Sequence, residues 1–245
     1  MIMVLPFFVV ALLYSIVGFG GGSSYIAILA LFGTSYQLIP QIALLCNITV
    51  VLGGVWHFSR RGHFSFRLLW PFLITSIPFA YLGGRMVVSK ELYYFLLGSS
   101  LLAAGGRLLF FSNLTNGRIL NKPDWRVGLV IGASLGLLSG MVGIGGGIFL
   151  APILMILGWG TPKQVATSAS YFILLNSIAG LAGQWFKAGS LLQVVDYWPL
   201  LLVVFIGGQI GSHLGAGKRL SQRSIRLGTA ALVVIVGVRL LLKSF

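Results

Sequence analysis

Acidic side chains are almost missing from this sequence: three Asp and Glu stand among 245 residues, against 17 Lys and Arg. Charged residues of both signs make up only 8% of the chain, where a soluble domain carries roughly 25%. That shortage excludes a water-soluble globule. The three acids, Glu91, Asp124 and Asp196, fall at the ends of apolar stretches or in a linker, so no carboxylate is placed deep in an apolar run as a proton relay. With three scattered His they offer neither a nucleophile–base pair nor a metal set, which argues against an enzyme and against any cofactor. Cys46, the one cysteine, allows no internal disulfide and no thiolate metal site. No basic n-region precedes the first apolar stretch, so a cleaved signal peptide is not expected and the first segment should stay in the membrane. The basic residues do not form the clustered patch that nucleic acid requires. They punctuate apolar runs, as loop anchors do, and no nucleic-acid partner is expected.

What the chain does have is hydrophobic length. Hydrophobic residues account for 57% of it, and the first formal charge is Arg60. The 59 residues before it exceed two bilayer crossings at about 20 residues each. The expected fold class is therefore an all-α polytopic membrane protein, with the lipid bilayer as its first partner. Charges and Gly/Pro clusters mark eight apolar segments, near 2–33, 38–58, 68–88, 92–111, 127–158, 164–186, 194–216 and 224–242. The polar stretch 112–126 is the one linker of any length. It separates a first transmembrane repeat, 1–111, from a second, 127–245, with four segments in each.

The two halves match each other in sequence. Gly18-Phe19-Gly20-Gly21-Gly22 recurs 125 positions later as Gly143-Ile144-Gly145-Gly146-Gly147, Leu45-Cys46-Asn47 pairs with Leu174-Leu175-Asn176 at offset 129, and Trp70-Pro71 with Trp198-Pro199 at 128. Two related halves around a central site are a transporter architecture, because they can rock to expose the site alternately. The first segment of each half is 32 residues long, 2–33 and 127–158, about 48 Å as a helix against a hydrocarbon core of about 30 Å. A break at the glycines resolves the mismatch, and non-helical backbone at membrane depth must be covered by protein or a water-filled cavity. The breaks should therefore point inward.

Charge counting chooses between a kinked crossing and a re-entrant hairpin. If all eight segments cross, the Lys and Arg divide ten to seven. If the first and fifth are re-entrant, Arg60, Arg61, Arg67, Arg107, Arg118, Lys122, Arg126, Lys163, Lys218, Arg219, Arg223 and Arg226 collect on one side, twelve against five. The positive-inside rule favours the second count, which inverts the two halves and puts both termini outside.

Ser139-Gly140-Met141-Val142-Gly143-Ile144-Gly145-Gly146-Gly147, followed by Ala151-Pro152 and Ala166-Thr167-Ser168, resembles the signature of the sulfite exporter TauE/SafE family of membrane transporters. The resemblance covers essentially the whole chain. The first half departs from it: Ser23 and Ser24 replace Ile148 and Phe149, and no Ala-Thr-Ser triplet precedes Asn47. The resemblance implies a secondary transporter of the cell membrane, such as a bacterial inner membrane, exporting sulfite, sulfonates or related small anions, and it leaves room for a homo-oligomer.

The candidate binding residues follow from the breaks. Gly20, Gly21, Gly22, Gly145, Gly146 and Gly147 let backbone N–H groups approach a ligand, and the helix resuming after each break presents a positive dipole end that favours an anion. The competing reading of the glycines is close helix packing. Asn47 and Asn176 are equivalent polar groups within apolar segments, able to hold a ligand or to join helices; Ser23 and Ser168 complete the set. His213 aligns with Arg85 at offset 128, a titratable group in a cationic position, which reads chiefly as interfacial. Gly132-Ala133-Ser134-Leu135-Gly136 fits G-x-S-x-G but lacks the strand of a nucleophile elbow; Gly132, Gly136 and Gly140 read instead as a packing face. A passive anion channel is the alternative function, since a channel uses the same glycine and cation features.

Overall fold

The computed structural model describes residues 2–16, 18–110, 123–188 and 192–217, together with positions 234, 238, 241 and 242. Most of the expected linker, the eighth segment and the basic residues Arg118, Lys122, Lys218, Arg219, Arg223, Arg226, Arg239 and Lys243 lie outside the described residues. The described chain is helical: α1 (Val4–Ile16), α2 (Gly22–Leu31), α3 (Leu38–Arg60), α4 (Phe66–Arg85), α5 (Lys90–Phe110), α6 (Trp125–Val142), α7 (Gly147–Leu157), α8 (Pro162–Ala188), the short α9 (Leu192–Val195) and α10 (Trp198–Gly217). Among them α3, α4, α6, α8 and α10 are long and apolar enough to cross a membrane. Helices α1, α2 and α7 are shorter apolar pieces.

Both long first segments break at their glycines. Helix α1 stops at Ile16 and α2 begins at Gly22; α6 stops at Val142 and α7 begins at Gly147. Gly18, Gly21, Gly143, Gly145 and Gly146 all take positive φ, a backbone state that costs an L-residue with a Cβ roughly 1–2 kcal/mol. The residue type thus dictates where the helices end. The sixth apolar segment matches α8 closely, whereas the seventh is divided between α9 and α10.

Glycine contacts give the helix directions. Gly128, Gly132, Gly136 and Gly140 lie in register on Pro71, Phe72, Ser76 and Ala80, so α6 runs parallel to α4. Gly207, Gly211 and Gly215 lie on Phe8, Leu12 and Ile16, so α10 runs parallel to α1. Helix α3 is also parallel to α10, with Val50 against Gly208 and the His57 and His213 rings 5.3 Å apart. Helix α8 is parallel to α4, Leu68 meeting Gly160 near one end and Lys187 Nζ reaching the Met86 carbonyl near the other. The two longest helices, α3 and α8, are antiparallel, since Gly54 meets Ser170 while Gly180 meets Leu44.

A consequence follows for the short helices. Because α1 and α3 point the same way, α2 between them must carry the chain back to the side from which α1 came. Helix α7 does the same between the parallel α6 and α8. The return starts in the non-helical turns: a Cβ on Gly21 would lie 2.8 Å from Val10, and one on Gly146 would lie 3.6 Å from the Leu135 carbonyl, so each turn doubles back along the last part of the preceding helix.

Candidate functional site

The two turns meet at the crossing of α3 and α8. Asn47, fully buried in α3, is wedged between them. A Cβ on Gly20 would lie 2.5 Å from its Oδ1, and Cβ atoms on Gly22 and Gly145 would lie 2.6 and 2.8 Å from its Nδ2. That Nδ2 donates to the Ile144 carbonyl at 3.1 Å and to the Gly143 carbonyl at 3.5 Å, carbonyls that the end of α6 leaves without helical partners. An amide of the first half thereby holds the turn of the second. The first turn is held by a different group: Ser170 Oγ on α8 donates to the Gly18 carbonyl at 2.8 Å. Ile173 fills the space between the turns, within 3.2 Å of Cβ positions on Gly20 and Gly145 and in contact with that on Gly147.

The sequence-predicted residues are placed unequally. Gly20, Gly21, Gly22, Ser23, Gly145, Gly146 and Gly147 are all buried at or beside this junction, and Gly21 and Gly146 are the left-handed residues immediately before α2 and α7. Asn176, equally buried, turns its Nδ2 to the Phe172 carbonyl of its own helix at 2.8 Å. Ser168 is buried in α8, and among the described residues no hydrogen bond ties it or Asn176 to either turn. Ile173 carries contacts that the sequence pattern did not single out, while Ser170 and Ser177 are hydroxyls that the sequence sets near Asn176: Ser177 Oγ lies 3.2 Å from a Cβ on Gly145. A serine within an apolar helix gives no signal of which way it faces.

Polar groups at the junction are left unmatched. Within α2 the Gly21 carbonyl takes the N–H groups of Ser24 and Tyr25, and within α7 the Gly146 carbonyl takes those of Phe149 and Leu150. No carbonyl of the described residues accepts from Gly22, Ser23, Gly147 or Ile148. Asn47 Oδ1, Ser23 Oγ and Ser177 Oγ are buried without a partner. Ser24 is satisfied by a 2.8 Å hydrogen bond shared with Tyr14.

Electrostatics divide by depth. The meeting segments, 18–25, 40–54, 143–151 and 166–180, contain no charged residue. Basic groups gather at the ends. Where α3 and α4 connect and α8 begins stand Arg60, Arg61, Arg67 and Lys163; there burial, then Lys163 and Arg61, push the His63 imidazole below its ordinary range. Arg60 lies over Trp56, Arg126 over Trp125, and Arg85 over Tyr81 and Phe186, the aromatic and cationic pairing of a membrane interface.

Apolar crossing helices, glycine-broken segments and a buried polar junction define a multi-pass membrane protein of the transporter class. The family model described as sulfite exporter TauE/SafE matches residues 3–240, and the chain belongs to that family. It is 33% identical over 240 residues to the "Probable membrane transporter protein y4hK" of Sinorhizobium fredii, covering 97% of this chain and 96% of that protein. It is 26% identical to the "Probable membrane transporter protein MJ0441" of Methanocaldococcus jannaschii, over 96% of this chain and 92% of that one. With the "Probable membrane transporter protein YunE" of Bacillus subtilis it shares 22%, over 93% and 92% of the two chains. No solved structure matches.

Proposed function

We propose that the protein is a secondary carrier, working as an exporter, for a small oxyanion such as sulfite or an organosulfonate, in the cell membrane. The observation that carries this reading is the meeting of two helix N-termini at one buried place. Helix α2 starts at Gly22 and α7 at Gly147, a Cβ on Gly22 would lie 2.5 Å from the Ile144 carbonyl, and the first N–H groups of both helices have no backbone partner among the described residues. Unpaired N–H groups at the positive end of a helix dipole bind anions. A cation site would instead want carboxylates or converging carbonyls, and no acid lies in these segments.

The carrier reading treats residues 1–111 and 127–245 as two repeats of four segments, inverted relative to each other and joined by 112–126. Support comes from the equivalent helices α3 and α8, which cross antiparallel, and from the exchange of partners, α4 on α6 and α8, α10 on α1 and α3. Burial of Asn47 and both turns fits an occluded form, which rocking of the halves would open to either side. Gly20, Gly21, Gly22, Ser23, Asn47, Gly145, Gly146, Gly147, Ser168 and Asn176 remain the proposed binding set, to which Ser177 is added. The sulfur chemistry rests on the family description; the residues favour negative charge. Uptake of labelled sulfite, a short sulfonate and an inorganic cation into proteoliposomes is the test. Saturable flux of an anion is expected, and saturable cation flux with no anion flux would overturn the assignment.

A further inference from the structure

The donors and acceptors at the junction do not balance. Carbonyl oxygens only accept, so the end of the Asn47 side chain that faces Gly143 and Ile144 must be its NH₂ group. Oδ1 is thereby fixed at the other end of the amide, against Gly20, buried and without a partner. It can only accept a hydrogen bond. An anion without a proton would satisfy the free N–H groups of Gly22, Ser23, Gly147 and Ile148 while facing this oxygen with lone pairs.

Charge sets a second constraint. Helices α2 and α7, of ten and eleven residues, each present about half a positive charge at their N-termini. Together they offer about one, and no Lys or Arg lies in the segments that meet there to add another. A monoanion is neutralised at such a site, whereas a dianion leaves one negative charge uncompensated in a buried place. We propose that the species carried is a monoanion that still holds a proton, hydrogen sulfite in its O–H form being the representative, and that Asn47 Oδ1 accepts the hydrogen bond from that proton. This rests on the anion-carrier reading above and narrows it from oxyanions in general to singly charged, proton-bearing ones.

Sulfite is the convenient probe because its second ionisation lies near neutrality. Counterflow of labelled sulfite into proteoliposomes would be measured with the same pH on both sides, at a series of pH values spanning that ionisation, with sulfate and methanesulfonate as competitors. The apparent KM in total sulfite should rise with pH yet stay constant when expressed as hydrogen sulfite. Methanesulfonate, a monoanion with no acidic proton, should compete about tenfold more weakly than hydrogen sulfite. Its inhibition should be flat across the same pH range, which separates titration of the substrate from titration of the protein. Sulfate should not compete. A KM that follows the sulfite dianion, or methanesulfonate or sulfate competing as well as hydrogen sulfite, overturns the inference and leaves the anion carrier standing. Absence of saturable flux or competition by any of the three overturns both.

Discussion

At the scale of single residues, the two turns depend on side chains that are missing or singular. Gly21 and Gly146 hold φ of 87° and 74°, and a Cβ on either would press on Val10 or on the Phe172 ring, at 2.8 and 2.7 Å. Gly21→Leu and Gly146→Leu should each abolish transport while the protein still inserts and elutes as a folded species, because the strain is confined to the turn. Transport at the wild-type rate in both would make the glycines packing residues. The two asparagines should part company in stability. Asn47→Ala leaves the Gly143 and Ile144 carbonyls unpaired in a buried place, a cost of about 1–3 kcal/mol, whereas Asn176→Ala removes a bond to a carbonyl inside its own helix. Thermal unfolding in detergent should therefore show the larger loss for Asn47→Ala, and the reverse order would contradict the inter-half role given to its amide. The repeat in the sequence makes the asparagines equivalent; which amide reaches across is decided by the rotation of α3 and α8 about their axes, and the spacing of residues along one chain does not record that.

The element scale is governed by backbone approach. In lipid no hydrophobic force draws helices together, so small residues that let backbones touch supply the packing. Gly140 on α6 would drive a Cβ into the Ala80 carbonyl, and Gly211 on α10 into that of Leu12. Gly140→Leu and Gly211→Leu should split α6 from α4 and α10 from α1 and sharply reduce the yield of folded protein. Gly106→Ala in α5, where a Cβ meets nothing within 4 Å, should leave the yield unchanged; equal losses at all three positions would refute packing as the cause. Much at this scale is legible in the sequence. Gly132, Gly136 and Gly140 are recognisable as a packing face by their spacing, and the ends of α1 and α6 are recognisable because only glycine tolerates the turns that follow. The detachment of α9 from α10, and the length of α6, which has 18 residues while its counterpart α1 has only 13, are not, since hydropathy runs on through both boundaries.

For the whole molecule, the parallel courses of α1 and α3, and of α6 and α8, are those expected of a chain that turns back within its first and fifth apolar segments; six of the twelve basic residues counted to one side lie outside the described residues. Cysteines introduced singly at Arg126 and Lys163 in a Cys46→Ala background should label from the same side, opposite to one at Lys90. Labelling of Arg126 and Lys163 from opposite sides would reject the return of the chain through α7. Charge bias bears on this return because basic loops are held preferentially on one side of the bilayer; the meeting of the turns at a single junction depends on helix partners far apart in the chain, which periodicity leaves open. The central claim, that the halves carry a small anion by alternating access, is tested most directly by counterflow. Proteoliposomes loaded with unlabelled sulfite and diluted into a trace of labelled sulfite should accumulate label transiently above its equilibrium level, and those bearing Gly146→Leu should not. Label that rises only to equilibrium, without an overshoot, would be the behaviour of a pore and would contradict the carrier.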